Sequence, residues 1–134
     1  MENLDGFFHK KKCDIAMGGI SVTLQCQQAW FAERLDTDEN ISRVRCADRT
    51  NYQTIEQRNQ PVVRLIEPAG GTNEAFVHSP LPRASLSLFY DNLKIFQQMV
   101  DNRAHVMFTD ASGAQFQMKH YPQHCGLNPQ KPLQ

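Results

Sequence analysis

Three short segments carry residues that could bind a small ligand. The first, Gly70-Gly71-Thr72-Asn73-Glu74, follows an apolar segment and precedes a helix-like one, so a strand-to-helix turn is predicted. Its glycines would let the backbone approach a ligand, and N–H groups at a helix start favour an anion such as a carboxylate. The segment is neither a Walker loop nor a G-x-G-x-x-G motif, so a plain helix capped by Thr72 is the alternative.

The second and third segments also lie at predicted strand ends. In Thr109-Asp110-Ala111 the aspartate could pair with an ammonium group, or it could cap the following helix, and the sequence leaves both open. The third segment is a glycine turn, Gly18-Gly19, followed by the hydroxyls of Ser21 and Thr23. An anion-binding turn and a carboxylate at neighbouring strand ends would together hold a zwitterion, as in an amino-acid pocket.

The histidines and cysteines predict no metal site and no cofactor. His120 and His124 are four residues apart, but Pro122 between them prevents a shared helical face, so a surface loop is expected there. The cysteines form no C-x-x-C pair, and buried free thiols are expected in a reducing compartment. The four are Cys13, Cys26, Cys46 and Cys125.

Composition indicates a globular chain with no charged partner. The 134 residues are 40% apolar, and 14 basic residues balance 14 acidic ones. This balance predicts neither a nucleic-acid partner nor an anionic membrane surface, and the run of lysines at 10–12 is interpreted as a solvated helix end. Neither a secretory leader nor a membrane-spanning segment is recognisable, so the cytoplasm is the expected location.

Strand-like and helix-like segments alternate along the chain, which predicts βαβ units and a mostly parallel sheet. The predicted strands cover residues 13–22, 42–47, 62–67, 84–89, 105–109 and 125–127. The predicted helices cover residues 3–11, 23–31, 54–58, 73–78, 92–100 and 112–120. Asp91 is expected to cap the helix at 92–100, whose apolar side chains from Leu93 to Val100 are expected in the core.

Four motifs resemble those of the cyclohexadienyl dehydratases, a family built on the type II periplasmic amino-acid-binding fold. They are D-I-A-M-x-G-I-S (14–21), G-G-T-N-E (70–74), I-F-Q-Q-M-V-D (95–101) and M-F-T-D-A (107–111). The similarity extends over nearly the whole chain, including Phe31, residues 52–54 and Cys125. It implies an α/β fold of two lobes joined by hinge strands, with the ligand held in the cleft between them.

The resemblance also implies a division of this chain. Residues 1–41 are expected to be a remnant of lobe one (helix, strand, helix), residues 42–127 a complete lobe two, and residues 128–134 a tail. A partial first lobe would leave unpaired strand edges, so a homodimer through residues 1–41 is expected. Cys46 and Cys125 fall where related dehydratases carry cysteines, so a disulfide is the alternative to free thiols if the compartment is oxidising.

Departures from the family pattern point to loss of catalysis. The resemblance implies a motif S-G-x-S/T-x-T-x-x-R whose arginine holds the ligand carboxylate, and here Gly18 takes the serine position and Cys26 the arginine position. It also implies a general acid three positions after the aspartate of T-D-A, where this chain has Gly113. The expected ligand-binding residues are Ser21, Gly71, Thr72, Asn73 and Asp110.

Two functions therefore remain open from the sequence. The expected one is a non-catalytic module that binds an amino-acid-like or carboxylate ligand, or that acts as a dimeric interaction module. The alternative is an active lyase acting on prephenate or arogenate, in which Glu74 or Asp110 takes over the proton transfer.

Overall fold

The computed structural model describes residues 38–127, together with residues 10–12, 14 and 24. The chain divides into two units, Met1–Thr37 and Asp38–Gln134. Lys10, Lys11 and Lys12 are exposed, as expected for a solvated run. The other elements predicted before residue 38, Cys13, Cys26 and the predicted tail at 128–134 lie outside the described residues.

The second unit is built on a mixed, mostly parallel five-stranded sheet. Its strands are β1 (Asn40–Arg45), β2 (Arg64–Pro68), β3 (Ser85–Phe89), β4 (Val106–Asp110) and β5 (His124–Leu127). The spatial order is β3-β2-β4-β1-β5. Strand β2 runs parallel to β3 and β4, whereas β1 is antiparallel to β4 and β5, so four of the five strands share one direction. The predicted α/β class and mostly parallel sheet are confirmed.

Short helices connect these strands. They are a 3-10 helix (Cys46–Tyr52) and the α-helices α1 (Ile55–Arg58), α2 (Thr72–His78), α3 (Ile95–Val100) and α4 (Ala111–His120). Helix α1 begins with a capping box in which the Thr54 side chain and Gln57 satisfy each other's backbone N–H groups. No helix within the described residues has the length and apolarity needed to cross a bilayer.

The sheet has an apolar layer on each face because side chains alternate along its strands. One layer is formed by Val44, Val63, Leu65, Val77, Leu81, Val106, Phe108 and Leu127. The other is formed by Ile66, Ile95, Phe96, Met99, Ala104 and Met107. Arg43 points into the second layer, where its guanidinium lies 4.6 Å from the centroid of the Phe96 ring, and burial lowers its pKa to about 10.

Arg58 joins the first strand to the chain that follows it. Its guanidinium donates hydrogen bonds to the carbonyl oxygens of Tyr52 and Gln53, each at 2.7 Å. A third bond reaches the Ser42 hydroxyl in β1 at 2.6 Å. Because Arg58 is only 1% exposed, these bonds compensate for removing its charge from water.

Several predicted details of the elements are wrong. Helix α3 begins at Ile95, because the Asp91 carboxylate accepts hydrogen bonds from the N–H groups of Leu93 and Lys94 and forms a separate turn before it. Leu93, expected in the core, is consequently 82% exposed. The predicted loop around His124 is instead strand β5, and His124 is 2% exposed, stacked on Tyr121.

The expected free thiols at Cys46 and Cys125 are also wrong, because the two residues form a disulfide. Val44 is paired with Cys125 in the β1–β5 ladder, so Cys46 lies just beyond this pair and the two cysteine Cα atoms are 4.9 Å apart. The Cys46 N–H also donates to the Gln123 carbonyl oxygen at 2.7 Å. The disulfide thus fastens the four-residue edge strand β5 across 79 residues of sequence.

Removing this disulfide should lower the stability of the second unit substantially. Replacing both residues (Cys46→Ser with Cys125→Ser) should reduce the free energy of unfolding by about 4 kcal/mol, since the unfolded chain regains the entropy of a long loop. Urea unfolding with and without dithiothreitol measures the effect. The double variant should not respond to the reductant, and an unchanged midpoint for the reduced wild type would contradict the assignment.

Candidate functional site

The parallel strands β2 and β4 bring the predicted ligand residues of this unit to one edge of the sheet. Gly71 and helix α2 follow the end of β2, and Asp110 ends β4 directly before α4. Because the carboxyl ends of neighbouring parallel strands meet at the same edge, Gly71, Thr72 and Asn73 lie on the same side of the sheet as Asp110. Ser21 lies outside the described residues.

The glycine turn after β2 is closed by its own glutamate. Gly70 has φ +73°, a left-handed conformation that favours glycine, and its N–H donates to Glu74 Oε2 at 2.8 Å. One N–H group expected to face an anion is therefore already bonded to a carboxylate. The N-cap residue of α2 is Gly71 and not Thr72, which is the first residue of the helix.

Asn73 connects this turn to strand β4. Its side-chain Nδ2 donates to the Phe108 carbonyl oxygen at 3.3 Å, while its Oδ1 is buried without a hydrogen-bond partner among the described residues. The amide group of Asn73 therefore has a structural contact at the site, in addition to any contact with a ligand.

Asp110 occupies the N-cap position of α4, but its side chain makes no capping hydrogen bond. Asp38 replaces it: the Asp38 carboxylate accepts a short hydrogen bond from the Ser112 hydroxyl and a 3.2 Å bond from the Ser112 N–H. The Glu39 carbonyl oxygen accepts the Ala111 N–H at 2.8 Å. The chain before β1 thus satisfies the first turn of α4, and Asp110 is left as an exposed carboxylate.

The two aspartates at this edge influence each other. The Ser112 hydroxyl lowers the pKa of Asp38, which keeps that carboxylate ionised. Partial burial raises the pKa of Asp110, and the negative charge of Asp38 raises it further. A cationic group bound here would offset both effects, so the electrostatics of the edge favour an ammonium or guanidinium group.

Gly113, at the position expected for the family acid, lies in the first turn of α4. A Cβ atom built on it would meet only the Thr109 hydroxyl oxygen, at 3.4 Å, which is ordinary van der Waals contact. Its φ is not positive, so the backbone does not require glycine. A Cβ atom therefore fits beside Thr109. Neither the backbone nor the neighbouring atoms require glycine at this position.

Two residues of this edge, Asp38 and Glu67, were missed by the sequence reasoning. Asp38 contacts a residue 74 positions away, and no local pattern indicates that pairing. Glu67 does carry a signal, since it is a charged residue that directly follows the apolar Leu65 and Ile66 inside a strand. Within the described residues, no three His, Cys, Asp or Glu side chains are grouped so as to hold a metal ion.

Comparison with known proteins agrees with this architecture. No family model matches the chain. It is 40% identical over 132 residues to the cyclohexadienyl dehydratase of Pseudomonas aeruginosa, covering 98% of this chain and 49% of that protein. This chain is a relative of cyclohexadienyl dehydratase. It spans about half the length of that dehydratase.

Solved structures extend the comparison to the fold. An ancestral cyclohexadienyl dehydratase is 34% identical, with a TM-score of 0.66, over 98% of this chain and 55% of that one. An amino-acid transporter substrate-binding protein from Streptococcus pneumoniae has a TM-score of 0.82 at 18% identity, over 94% of this chain and 53% of that one. The predicted periplasmic-binding-protein-like fold is confirmed, and the dehydratase-like chain shares about half of it.

Since Gly113 is not required by the backbone, replacing it should stabilise helix α4. Gly113→Ala should raise the free energy of unfolding by about 0.5–1 kcal/mol through the higher helix propensity of alanine. Gly70→Ala is the matched control, because its φ of +73° strains any L side chain and should make that variant less stable. Urea unfolding of both variants tests this, and a loss of stability in Gly113→Ala would show that the position does require glycine.

Proposed function

We propose that this dehydratase-like chain is a non-catalytic binding module, and that Asp110 pairs with the cationic group of a small amino-acid-like ligand. The observation that carries the proposal is the replacement of Asp110 by Asp38 as the cap of α4. A carboxylate at a helix N-terminus normally bonds to the first N–H groups. Because Asp38 takes that role, Asp110 remains available to a ligand.

Charge and relatives both support a cationic group at this edge. The Asp38 charge raises the pKa of Asp110, and a bound cation would relieve that repulsion. The structurally similar Streptococcus pneumoniae protein was solved with L-arginine, and an ancestral arginine-binding protein was solved with arginine and with glutamine. We therefore propose an amino acid as the ligand class, with Gly71, Thr72 and Asn73 as further contacts. The assignment of Ser21 stays a prediction from the sequence.

The absence of catalysis is proposed from two replacements. Glycine at position 113 has no proton to deliver, and general acid catalysis contributes about 100- to 10,000-fold to a rate. Cys26 replaces the arginine that the family resemblance implies for the ligand carboxylate, which removes a charged hydrogen bond of about 1.5–3 kcal/mol.

An active prephenate or arogenate dehydratase is the second candidate. Partial burial, together with the Asp38 charge, raises the pKa of Asp110, which is the direction that a general acid requires. Glu74 is less suited to the role because its carboxylate accepts the Gly70 N–H. Incubation with prephenate distinguishes the candidates, since phenylpyruvate should form only if the chain is a dehydratase.

The location and the domain division remain proposals as well. A Cys46–Cys125 disulfide supports an oxidising compartment such as the periplasm, where binding proteins of this fold act, over the cytoplasm predicted from the sequence. The division into residues 1–41, 42–127 and 128–134 rests on the family resemblance.

The ligand proposal predicts a specific loss on changing Asp110. L-arginine or L-glutamine at about 100 times its dissociation constant should stabilise the wild type by about 2.7 kcal/mol. Asp110→Asn should weaken binding by about 10- to 100-fold, the cost of losing a charged hydrogen bond. Thermal unfolding and calorimetric titration measure both effects.

Asp101→Asn is the control for that experiment, since Asp101 is an exposed acid whose contact with Gln97 an amide can retain. It should bind as the wild type does. Equal stabilisation of Asp110→Asn, or no stabilisation of the wild type by either amino acid, would contradict the proposal.

The proposed homodimer through residues 1–41 predicts a mass of about twice the chain mass of 15.3 kDa. Light scattering of the intact chain measures it. A monomer across the concentration range would contradict the proposed pairing without affecting the ligand site.

A further inference from the structure

Glu67 is a buried acid in the middle of the described unit. It belongs to β2, is 0% exposed, and lies on the same face of the strand as Leu65. Its Oε1 accepts a hydrogen bond from the Phe108 N–H at 2.7 Å, and its Oε2 is buried with no partner among the described residues. Burying an acid with an unpaired oxygen costs folding free energy, so the position of Glu67 needs a structural or functional explanation.

That contact lies where the ladder between β2 and β4 ends. The two strands are paired at Leu65 and Val106, and two residues further along the Phe108 N–H bonds to the Glu67 side chain. The carbonyl group of the same residue accepts the Asn73 side-chain amide from helix α2 at 3.3 Å. Both main-chain groups of Phe108 are therefore bonded to side chains that belong to β2 or to the helix after it.

We propose that Glu67 is a positioning residue: together with Asn73 it clamps the Phe108 peptide groups and thereby sets the spacing between the turn at 70–73 and Asp110. Asp110 is only two residues beyond Phe108, and Asn73 is the second residue of helix α2, directly after the glycine turn. A change at Glu67 would therefore alter the separation of the two halves of the candidate site. The clamp itself is inferred from the hydrogen bonds of Phe108, and only its effect on ligand affinity rests on the proposed ligand site.

The protonation state of Glu67 supports a neutral clamp. Burial raises its pKa to about 8, although the Phe108 N–H acts in the opposite direction. The elements packed against β2 supply no described cation to Glu67: β3 and α3 contain no charged residue, and on α2 the Glu74 carboxylate bonds to Gly70 while His78 is exposed. From β4 only Asp110, itself exposed, carries a charge. The buried Arg58 guanidinium is bonded to Tyr52, Gln53 and Ser42.

The sign of the pH dependence follows from the raised pKa. The stabilising contribution of neutral Glu67 is fully present below the ordinary pKa of 4.5 and is lost as the pH rises through about 8, where the folded state also gives up the proton. Glutamine keeps the shape, the acceptor for Phe108 and a donor, but does not titrate. Leucine fills similar space without hydrogen bonds.

The experiment compares Glu67→Gln and Glu67→Leu with the wild type by amide exchange at Phe108, corrected for intrinsic rates, and by urea unfolding from about pH 5 to about pH 9. Phe108 should exchange about tenfold faster in Glu67→Leu and remain protected in Glu67→Gln. Between about pH 5 and about pH 8 only the wild type should lose stability relative to Glu67→Gln, and above about pH 8, where that loss is complete, its Phe108 protection should also be lower. Met99→Ala, a change in the opposite layer, is the control for a general loss of stability and should leave local exchange at Phe108 unchanged.

Binding of L-arginine separates this proposal from the ligand proposal. Its affinity should fall about tenfold in Glu67→Leu and be retained in Glu67→Gln at neutral pH, which a merely space-filling role would not produce. If the wild type does not bind L-arginine, the ligand site is wrong while the exchange and pH results still decide the clamp. Equal exchange in both variants, parallel pH profiles of wild type and Glu67→Gln, or unchanged affinity in Glu67→Leu would overturn the positioning role.

Discussion

The Phe108 peptide is the point on which the candidate site depends. Strands β2 and β4 carry the turn at 70–73 and Asp110 at their ends, yet their backbone pairing stops at Leu65 and Val106. Beyond that pair, Glu67 and Asn73 each supply one hydrogen bond, one to each main-chain group of Phe108. Buried main-chain groups need such partners, so these bonds help to hold the strand ends together. Side chains thus join β2 and β4 beyond their backbone pairing.

The antiparallel strand β1 determines the charge of the same edge. Its direction carries Asp38 to the start of α4, where the carboxylate bonds to Ser112 and relieves Asp110 of the capping role. On the other side of β1, the Cys46–Cys125 disulfide fixes β5. The residues that flank β1 therefore have two effects. Cys46 holds strand β5 through the disulfide, and the Asp38 charge adds to partial burial in raising the pKa of Asp110.

Local patterns explain which features could be predicted from the sequence. The alternation of apolar segments with glycine turns located all five described strands within about two residues, because sheet-face and turn chemistry are local properties. The disulfide, the contact of Asp38 with Ser112 and the burial of His124 depend on strand register between distant segments. The prediction that Leu93 is buried was wrong for a different reason. The Asp91 turn displaces the start of α3 to Ile95, so the apolar periodicity was extended to a residue outside the helix.

The proposed loss of catalysis with retained binding has a physical basis in the residues of the second unit. Asp110 and the clamp beneath it require only residues of the second unit, and these residues are all present. A dehydratase additionally needs an acid near Asp110 and a cation for the ligand carboxylate. A Cβ atom fits at Gly113, since it makes ordinary contact with Thr109. Asp38 and Asp110 are acidic and cannot supply that cation. An acid introduced at position 113 would therefore still leave the carboxylate of a ligand without a cationic partner at this edge.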